Sequence, residues 1–396
     1  MNSESGNKRL QAFWDALTII VFLGLLWLPS LDHFFKLDHA TPPTENRSLA
    51  KWPRFNGLGG SRDFIAGIES YFNDHFGFRK RLVRLNHHWK EQLFHMGGSP
   101  DAIIGRNGWL FYSGGRMLEH CTREATLTEQ ELRDWCRLLE MRRDWLHARG
   151  IKYLFVVLPD KHTVYPEYLP SWIEISAKPT KIQQLIHYAK DHSTVEIVDL
   201  SQALIEGKRI HVDYLKTDTH WNRFGAFIGY RALVEVLARQ IPGLEPLALD
   251  TYDWKPSPAK PGDLFTIMGS TGSYTETEAL QPTPLPNPNV VYDPARFRPH
   301  PGPPETRSCF TLNEKASGKA IVFHDSFACS WYGFLDRHFR EVIYVWQYDW
   351  DRPLIEREKP DLIIDEILER FFNIQDPNEL ARKDQSSATD TSQTSR

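Results

Sequence analysis

Apolar residues in this chain come in unbroken runs, most clearly Ala320-Ile321-Val322-Phe323 and the stretch 153–158. A strand with one wet face alternates apolar and polar residues. A strand that is apolar throughout is buried on both faces, which requires a parallel sheet with helices on either side. Strands are read at 153–158, 195–200, 289–292, 320–323, 342–346 and 361–364. Helices are read at 127–147, 182–189, 224–239 and 366–372. This alternation predicts an α/β fold of three layers with a mainly parallel sheet.

The run 320–323 delivers His324-Asp325-Ser326, after which Ala328, Cys329, Trp331, Phe334 and Leu335 recur at helix-like intervals. Read as strand, sharp turn and helix, the stretch places the Ser326 hydroxyl beyond the carboxyl end of a buried strand. Ligands of such sheets bind there, and the N–H groups opening the helix would face an oxyanion. The same Asp-Ser is also an ordinary helix N-cap, and both readings stand at this level. A serine nucleophile needs a base and the base an orienting carboxylate. Thr217-Asp218-Thr219-His220-Trp221-Asn222 offers both, because residues two apart in extended chain point the same way. Asp218 would hold Nδ1 of His220 and leave Nε2 for Ser326. Alternatively, Asp218 caps the following helix and His220 is a packing residue.

A formal net charge of −4 over 396 residues gives no reason to expect nucleic acid. Aromatics reach 13%, with 13 Trp, a surplus that a sugar-binding groove would use. Cys121, Cys136, Cys309 and Cys329 lack zinc-site spacing, and their pairing is left open. Residues 1–11 are polar, with Lys8 and Arg9 ahead of an apolar segment at 12–31 that no small-x-small cleavage site follows. These features predict a cytoplasmic N-terminus and a retained signal-anchor helix, although the run is short for a span and Asp15 trims it. Segment 32–100 reads as a linker and helical lead-in, with an amphipathic helix around 64–72. A basic stretch at 76–94 carries Arg79, Lys80, Arg81 and Arg84, a solvated helix face or a surface for acidic polysaccharide or lipid headgroups. A hairpin with an Asn107-Gly108 turn opens a main domain at 101–374. The polar tail 375–396 is expected to be disordered.

Asp218-Thr219-His220-Trp221-Asn222 with Phe224-Gly225-Ala226, and the later Asp325-Ser326-Phe327, resemble the alginate O-acetyltransferase family with its SGNH-hydrolase-like domain. Glu45-Asn46-Arg47, the segment from Gly105 to Tyr112, Pro159-Asp160-Lys161 and Glu369-Arg370 match family landmarks in family order. The resemblance implies a flavodoxin-like SGNH fold behind a membrane anchor and a triad of Asp218, His220 and Ser326. Tyr332, six residues after the serine, matches a family tyrosine near the substrate. It further implies acetyl transfer through a Ser326 acyl-enzyme to hydroxyls of an exported polysaccharide, in the periplasm at the inner membrane. A membrane-bound acyltransferase would supply acetyl groups, with no metal or other cofactor. Ser326 N–H and Asn222 are expected at the oxyanion, and Lys161 at a substrate carboxylate or the acyl donor. His324 stands where the family usually has Gly, and is expected to crowd the oxyanion hole or alter the turn. Three other readings compete: an acetylesterase with the same triad, a metal-dependent hydrolase using Asp218, His220, His324 and Asp325, and a non-catalytic polysaccharide-binding component of a secretion complex.

Overall fold

The computed structural model describes residues 2–35, 37, 50–53, 61–78, 81–82, 85, 101–258, 260–268, 279–293, 295–297 and 308–386. The chain divides into two units, Met1–Ser99 with Thr266–Thr271, and Pro100–Phe265 with Gly272–Arg396.

In the first unit, Asn2–Phe35 form one helix and Ser61–His75 another. The signal-anchor expected at 12–31 is not supported, since among the described residues no helix is long and apolar enough to cross a membrane. The uncharged part, Ala16 to Pro29, falls short of the ~20 residues a span needs, and Asp15 and Asp32 bracket it. The basic stretch at 76–94 lies largely outside the described residues.

The second unit opens with the expected hairpin, β1 (Ala102–Ile104) and β2 (Leu110–Tyr112), whose Asn107 and Gly108 take φ of 55° and 77°. The further strands are β3 (Lys152–Leu158), β4 (Ile197–Asp199), β5 (Asp253–Pro256), β6 (Leu280–Thr283), β7 (Asn289–Val291), β8 (Cys309–Leu312), β9 (Lys319–His324), β10 (Glu341–Trp346) and β11 (Leu362–Leu368). Seven of them make one sheet in the order β4-β3-β11-β9-β10-β8-β7. The first five in that order are parallel, and β8 and β7 add an antiparallel edge. β5 and β6 form a separate two-stranded ribbon between helix Arg223–Leu237 and β7.

The unbroken apolar runs have the expected cause. In β3 and β9, Leu154, Val156, Ala320 and Val322 pack on one face with helix Arg223–Leu237. Phe155, Val157, Ile321 and Phe323 pack on the other, where Trp135 and Leu139 of helix Glu129–His147 lie. Each such fully buried aliphatic or aromatic side chain contributes about 1.5–3 kcal/mol. The helix Glu129–His147 starts on a capping box, with Thr128 and Glu131 satisfying each other's N–H groups.

Three expectations change. The strand read at 361–364 continues to Leu368 through buried Asp365 and Glu366, so the helix read from 366 shrinks to Glu369–Phe372. The segment after Ser326 is not an α-helix. It makes two short 3-10 turns, Ala328–Trp331 and Leu335–Arg337, separated at Gly333 with φ of 87°. Finally, Pro377–Ser386 of the tail form a helix whose Leu380 and Asp384 are buried.

Candidate active site

Because β3, β9, β10 and β11 run parallel, their carboxyl ends meet at one rim. Asp160, Ser326, Tyr348 and Arg370 follow those ends within a few residues. Strand β9 is central, so the turn carrying Ser326 has neighbours on both sides. Asp325 is buried and fixes that turn. Its Oδ1 accepts from Phe327 N–H at 2.9 Å, and its Oδ2 accepts from Tyr348 hydroxyl at 2.7 Å and Leu368 N–H at 3.1 Å. Ser326 itself stays half-buried at the surface of the rim.

His220 comes from the segment before helix Arg223–Leu237. His220 Nε2 lies 2.7 Å from Ser326 Oγ, and His220 Nδ1 donates to Asp218 Oδ1 at 2.6 Å. The residues around His220 hold the two segments together. Trp221 Nε1 donates to Phe327 carbonyl at 3.1 Å, and Arg223 donates to the carbonyls of Ser330 and Tyr332. His220 is thus clamped to the loop that carries Ser326, and the relay does not depend on one hydrogen bond to stay assembled.

Sequence reasoning missed the residue that completes the carboxylate's surroundings. Asp263 N–H donates to Asp218 Oδ2 at 3.1 Å, while the Asp263 carboxylate accepts from Thr219 N–H at 2.7 Å and Thr219 hydroxyl at 2.6 Å. A second oxygen thus stands 3.9 Å from His220 Nδ1. The approach needs Gly262, since a Cβ there would sit 2.3 Å from Asp218 Cβ. The turn-like Pro261-Gly262-Asp263 was the only signal in the sequence.

Burial alone would raise the Asp218 carboxyl. The hydrogen bond and charge of His220, with the N–H groups of His220 and Asp263, outweigh it and bring its pKa down to about 2. Burial would likewise lower His220, but the hydrogen bond and charge of Asp218 and the charge of Asp263 prevail and hold the imidazole above its ordinary value. The pair therefore favours an imidazolium, the species a serine nucleophile leaves on its base.

Asn222 and Lys161 take other roles than expected, and Tyr332 and His324 are held by neighbouring side chains. Asn222 caps helix Arg223–Leu237: its Oδ1 accepts from Gly225 N–H at 3.0 Å and its Nδ2 donates to Val212 carbonyl at 2.6 Å, so its amide is committed away from an oxyanion. Lys161 is buried and its ammonium donates to the carbonyls of Leu215, Lys216 and Asp218, which shapes the Asp218 loop instead of meeting a carboxylate. Tyr332 hydroxyl contacts Cys309 Sγ at 3.3 Å and Cys329 Sγ at 3.5 Å, and its ring packs on Tyr344. His324 is buried against the rings of Tyr344 and Trp346, with Nδ1–H donating to Asp325 carbonyl. It makes no hydrogen bond to Ser326 or His220. The metal set Asp218, His220, His324 and Asp325 is not brought together. Asp218 and His220 do stand near Asp263 at ligand-like spacing, yet both His220 nitrogens are engaged in the relay.

A buried pair lies behind the rim. Glu369 Oε2 accepts from Asp160 N–H at 3.0 Å and Thr163 hydroxyl at 2.7 Å. Burial, then the charge of Asp160, pushes Glu369 up to about 8 from 4.5. A raised folded pKa means stability is full below 4.5 and is lost as pH climbs through about 8. Glu369→Gln, which cannot ionise, is expected to remove that slope. Thermal unfolding between about pH 5 and 9 should show a wild-type Tm falling by several degrees more than the variant's. Equal slopes would contradict this.

The family described as SGNH hydrolase-like domain, acetyltransferase AlgX matches residues 102–346. A probable alginate O-acetylase AlgJ of Pseudomonas fluorescens is 30% identical over 211 residues, 51% of this chain and 49% of that protein. Its counterpart in Pseudomonas syringae pv. tomato is 26% identical over 254 residues, 64% of this chain and 60% of the relative. The chain thus spans about half the length of the first of these relatives. Among solved structures, Bacillus cereus PatB1 with a sulfonyl adduct has a TM-score of 0.51 at 17% identity, covering 70% of this chain and 98% of that one, a likeness of fold. With the matched family spanning well over half its residues, the chain belongs to the SGNH hydrolase-like domains of the AlgX acetyltransferase family.

Proposed function

We propose that the protein is a serine-dependent O-acetyltransferase acting on hydroxyls of an exported, alginate-like polysaccharide. The observation that carries this reading is the continuous relay from Asp218 through His220 to Ser326, at 2.6 and 2.7 Å. In the first half-reaction His220 Nε2 takes the Ser326 proton as Oγ attacks the acetyl carbonyl. The tetrahedral adduct collapses, and the donor's leaving group departs with that proton. In the second, His220 takes a proton from a sugar hydroxyl, which attacks acetyl-Ser326 and releases the serine. The backbone N–H of Ser326, which has no partner among the described residues, is the oxyanion donor in this reading. Tyr332 lies in the loop beyond it and would line the acceptor side. We place the reaction in the periplasm at the inner membrane, with a membrane-bound acyltransferase handing over the acetyl group. The exposed apolar side chains of helix Asn2–Phe35, among them Phe13, Ile20, Phe22 and Trp27, would be covered there.

The test is intact-mass analysis with a chromogenic acetyl ester, in the presence and absence of alginate oligosaccharides. The expected result is an acetyl adduct absent from Ser326→Ala, which acceptor discharges as acetylated oligosaccharide. Discharge as free acetate alone makes the enzyme an esterase and overturns the transferase reading.

A further inference from the structure

Arg370 follows Glu369 just past the end of β11, and the relay does not use it. Its guanidinium lies 4.9 Å from the ring centroid of Tyr112 and 5.9 Å from that of Phe327. Phe327 directly follows the nucleophile, and its ring centroid is 4.7 Å from that of His220. The cation therefore sits on the aromatic wall against which the base is packed.

Only one edge of this cation is occupied. Nη1 pairs with buried Asp160 Oδ1 at 3.1 Å, while the Arg370 side chain keeps 14% of its surface exposed. Among the described residues it makes no other hydrogen bond or ion pair. None of its nitrogens belongs to the buried polar atoms that lack a partner, so the remaining N–H groups open to solvent at the rim. Planar N–H pairs of this kind match a carboxylate, and a neutral sugar would leave them to water.

We propose that Arg370 determines acceptor specificity by binding a carboxylate of the sugar that receives the acetyl group. The inference rests on the acetyl-transfer reading above. Asp160 then acts as a positioning residue that holds the guanidinium while its free edge faces the substrate.

The experiment compares two acceptors, an oligouronate and the same oligosaccharide with its carboxyl groups reduced to alcohols. Wild type is expected to show a KM about tenfold or more lower for the oligouronate, the size of a lost charge-assisted contact. In Arg370→Lys, and in Arg370→Gln with Asp160→Asn, the ratio of the two KM values should fall toward one. The double variant removes both charges together, so neither is left buried and alone. A merely structural role would lower kcat for both acceptors and leave their KM ratio intact, which overturns the proposal. Equal KM values in wild type also overturn it, while a Ser326 acetyl adduct would show that acetyl transfer itself still stands. Failure to form that adduct sinks the underlying reading instead.

Discussion

Asp218→Asn is expected to lower the rate of Ser326 acetylation by about four orders of magnitude without separating His220 from Ser326. Asp218 Oδ1 accepts from both His220 Nδ1–H and His220 backbone N–H, and Oδ2 accepts from Asp263 N–H. An amide cannot serve all three. With its oxygen toward His220, its NH2 faces the Asp263 N–H. Flipped, its NH2 faces Nδ1, which must then be an acceptor, so the proton moves to Nε2 and the base can no longer accept from Ser326. In either orientation the imidazolium loses its counter-charge. The interactions that raise His220 are chiefly those of Asp218, so the apparent pKa of the rate should fall in the variant. In wild type the rate should climb with pH through a value above the ordinary histidine range, as His220 becomes neutral. Single-turnover acetylation by a chromogenic ester, followed against pH, reads both effects. His220→Ala should cost at least as much, and His220→Ala combined with Asp218→Asn no more than His220→Ala alone, because the groups act as a unit. A loss under about tenfold in Asp218→Asn would mean the carboxylate does not orient the base.

The site was legible in the sequence where chemistry is local and illegible where it depends on what a distant segment does. Asp218 and His220 are two residues apart, and Ser326 follows an unmistakable buried strand, so all three could be named. Asp263 could not, because nothing about a Pro/Gly-rich stretch says that its backbone will close on Asp218. Lys161 and Asn222 were identified as important positions and given the wrong roles. A buried lysine has three donors to satisfy and finds carbonyls, and an asparagine ahead of a helix caps it before it can serve a substrate. The sheet was legible from its unbroken apolar runs, but its limits were not. β11 continues through Asp365 and Glu366 because Arg142 pairs with the first and burial holds the second toward its neutral form, and period and hydropathy record only the residues themselves. The 3-10 turns after Ser326 show the same limit. Apolar spacing at 328–335 suits a helix, yet Gly333 adopts a left-handed conformation and approaches Pro286 so closely that a Cβ there would lie 2.3 Å from the proline Cβ. In the proposed reaction this leaves the Ser326 N–H for the oxyanion, in place of the opening turn of an α-helix.

The second large effect concerns stability and lies on the opposite side of the sheet from the helix Arg223–Leu237. Arg142 is 1% exposed, and its guanidinium donates to Asp365 at 2.5 Å, to Asp384 at 2.8 and 3.0 Å and to Tyr348 carbonyl at 2.9 Å, while packing 4.8 Å from the Trp350 ring centroid. Tyr153 hydroxyl also donates to Asp365. This one cation joins helix Glu129–His147 to β11 and to the helix Pro377–Ser386. It is also why a polar tail becomes ordered: the buried Asp384 has somewhere to place its charge. Arg142→Met is expected to cost about 3–5 kcal/mol, since it takes away the guanidinium that two buried carboxylates share. That is a large share of the 5–15 kcal/mol that holds a typical domain folded. Without the cation both carboxyls would have folded pKa values well above their unfolded ones. The deficit should therefore shrink as pH falls toward 4 and grow as pH rises. Adding Asp365→Asn and Asp384→Asn to Arg142→Met removes the charges and should recover most of the loss at neutral pH. Denaturant unfolding of the single and triple variants separates the possibilities. If the single change costs under about 1 kcal/mol, or if the triple variant is no better than the single, the buried charges are not what ties the terminal helix to the sheet.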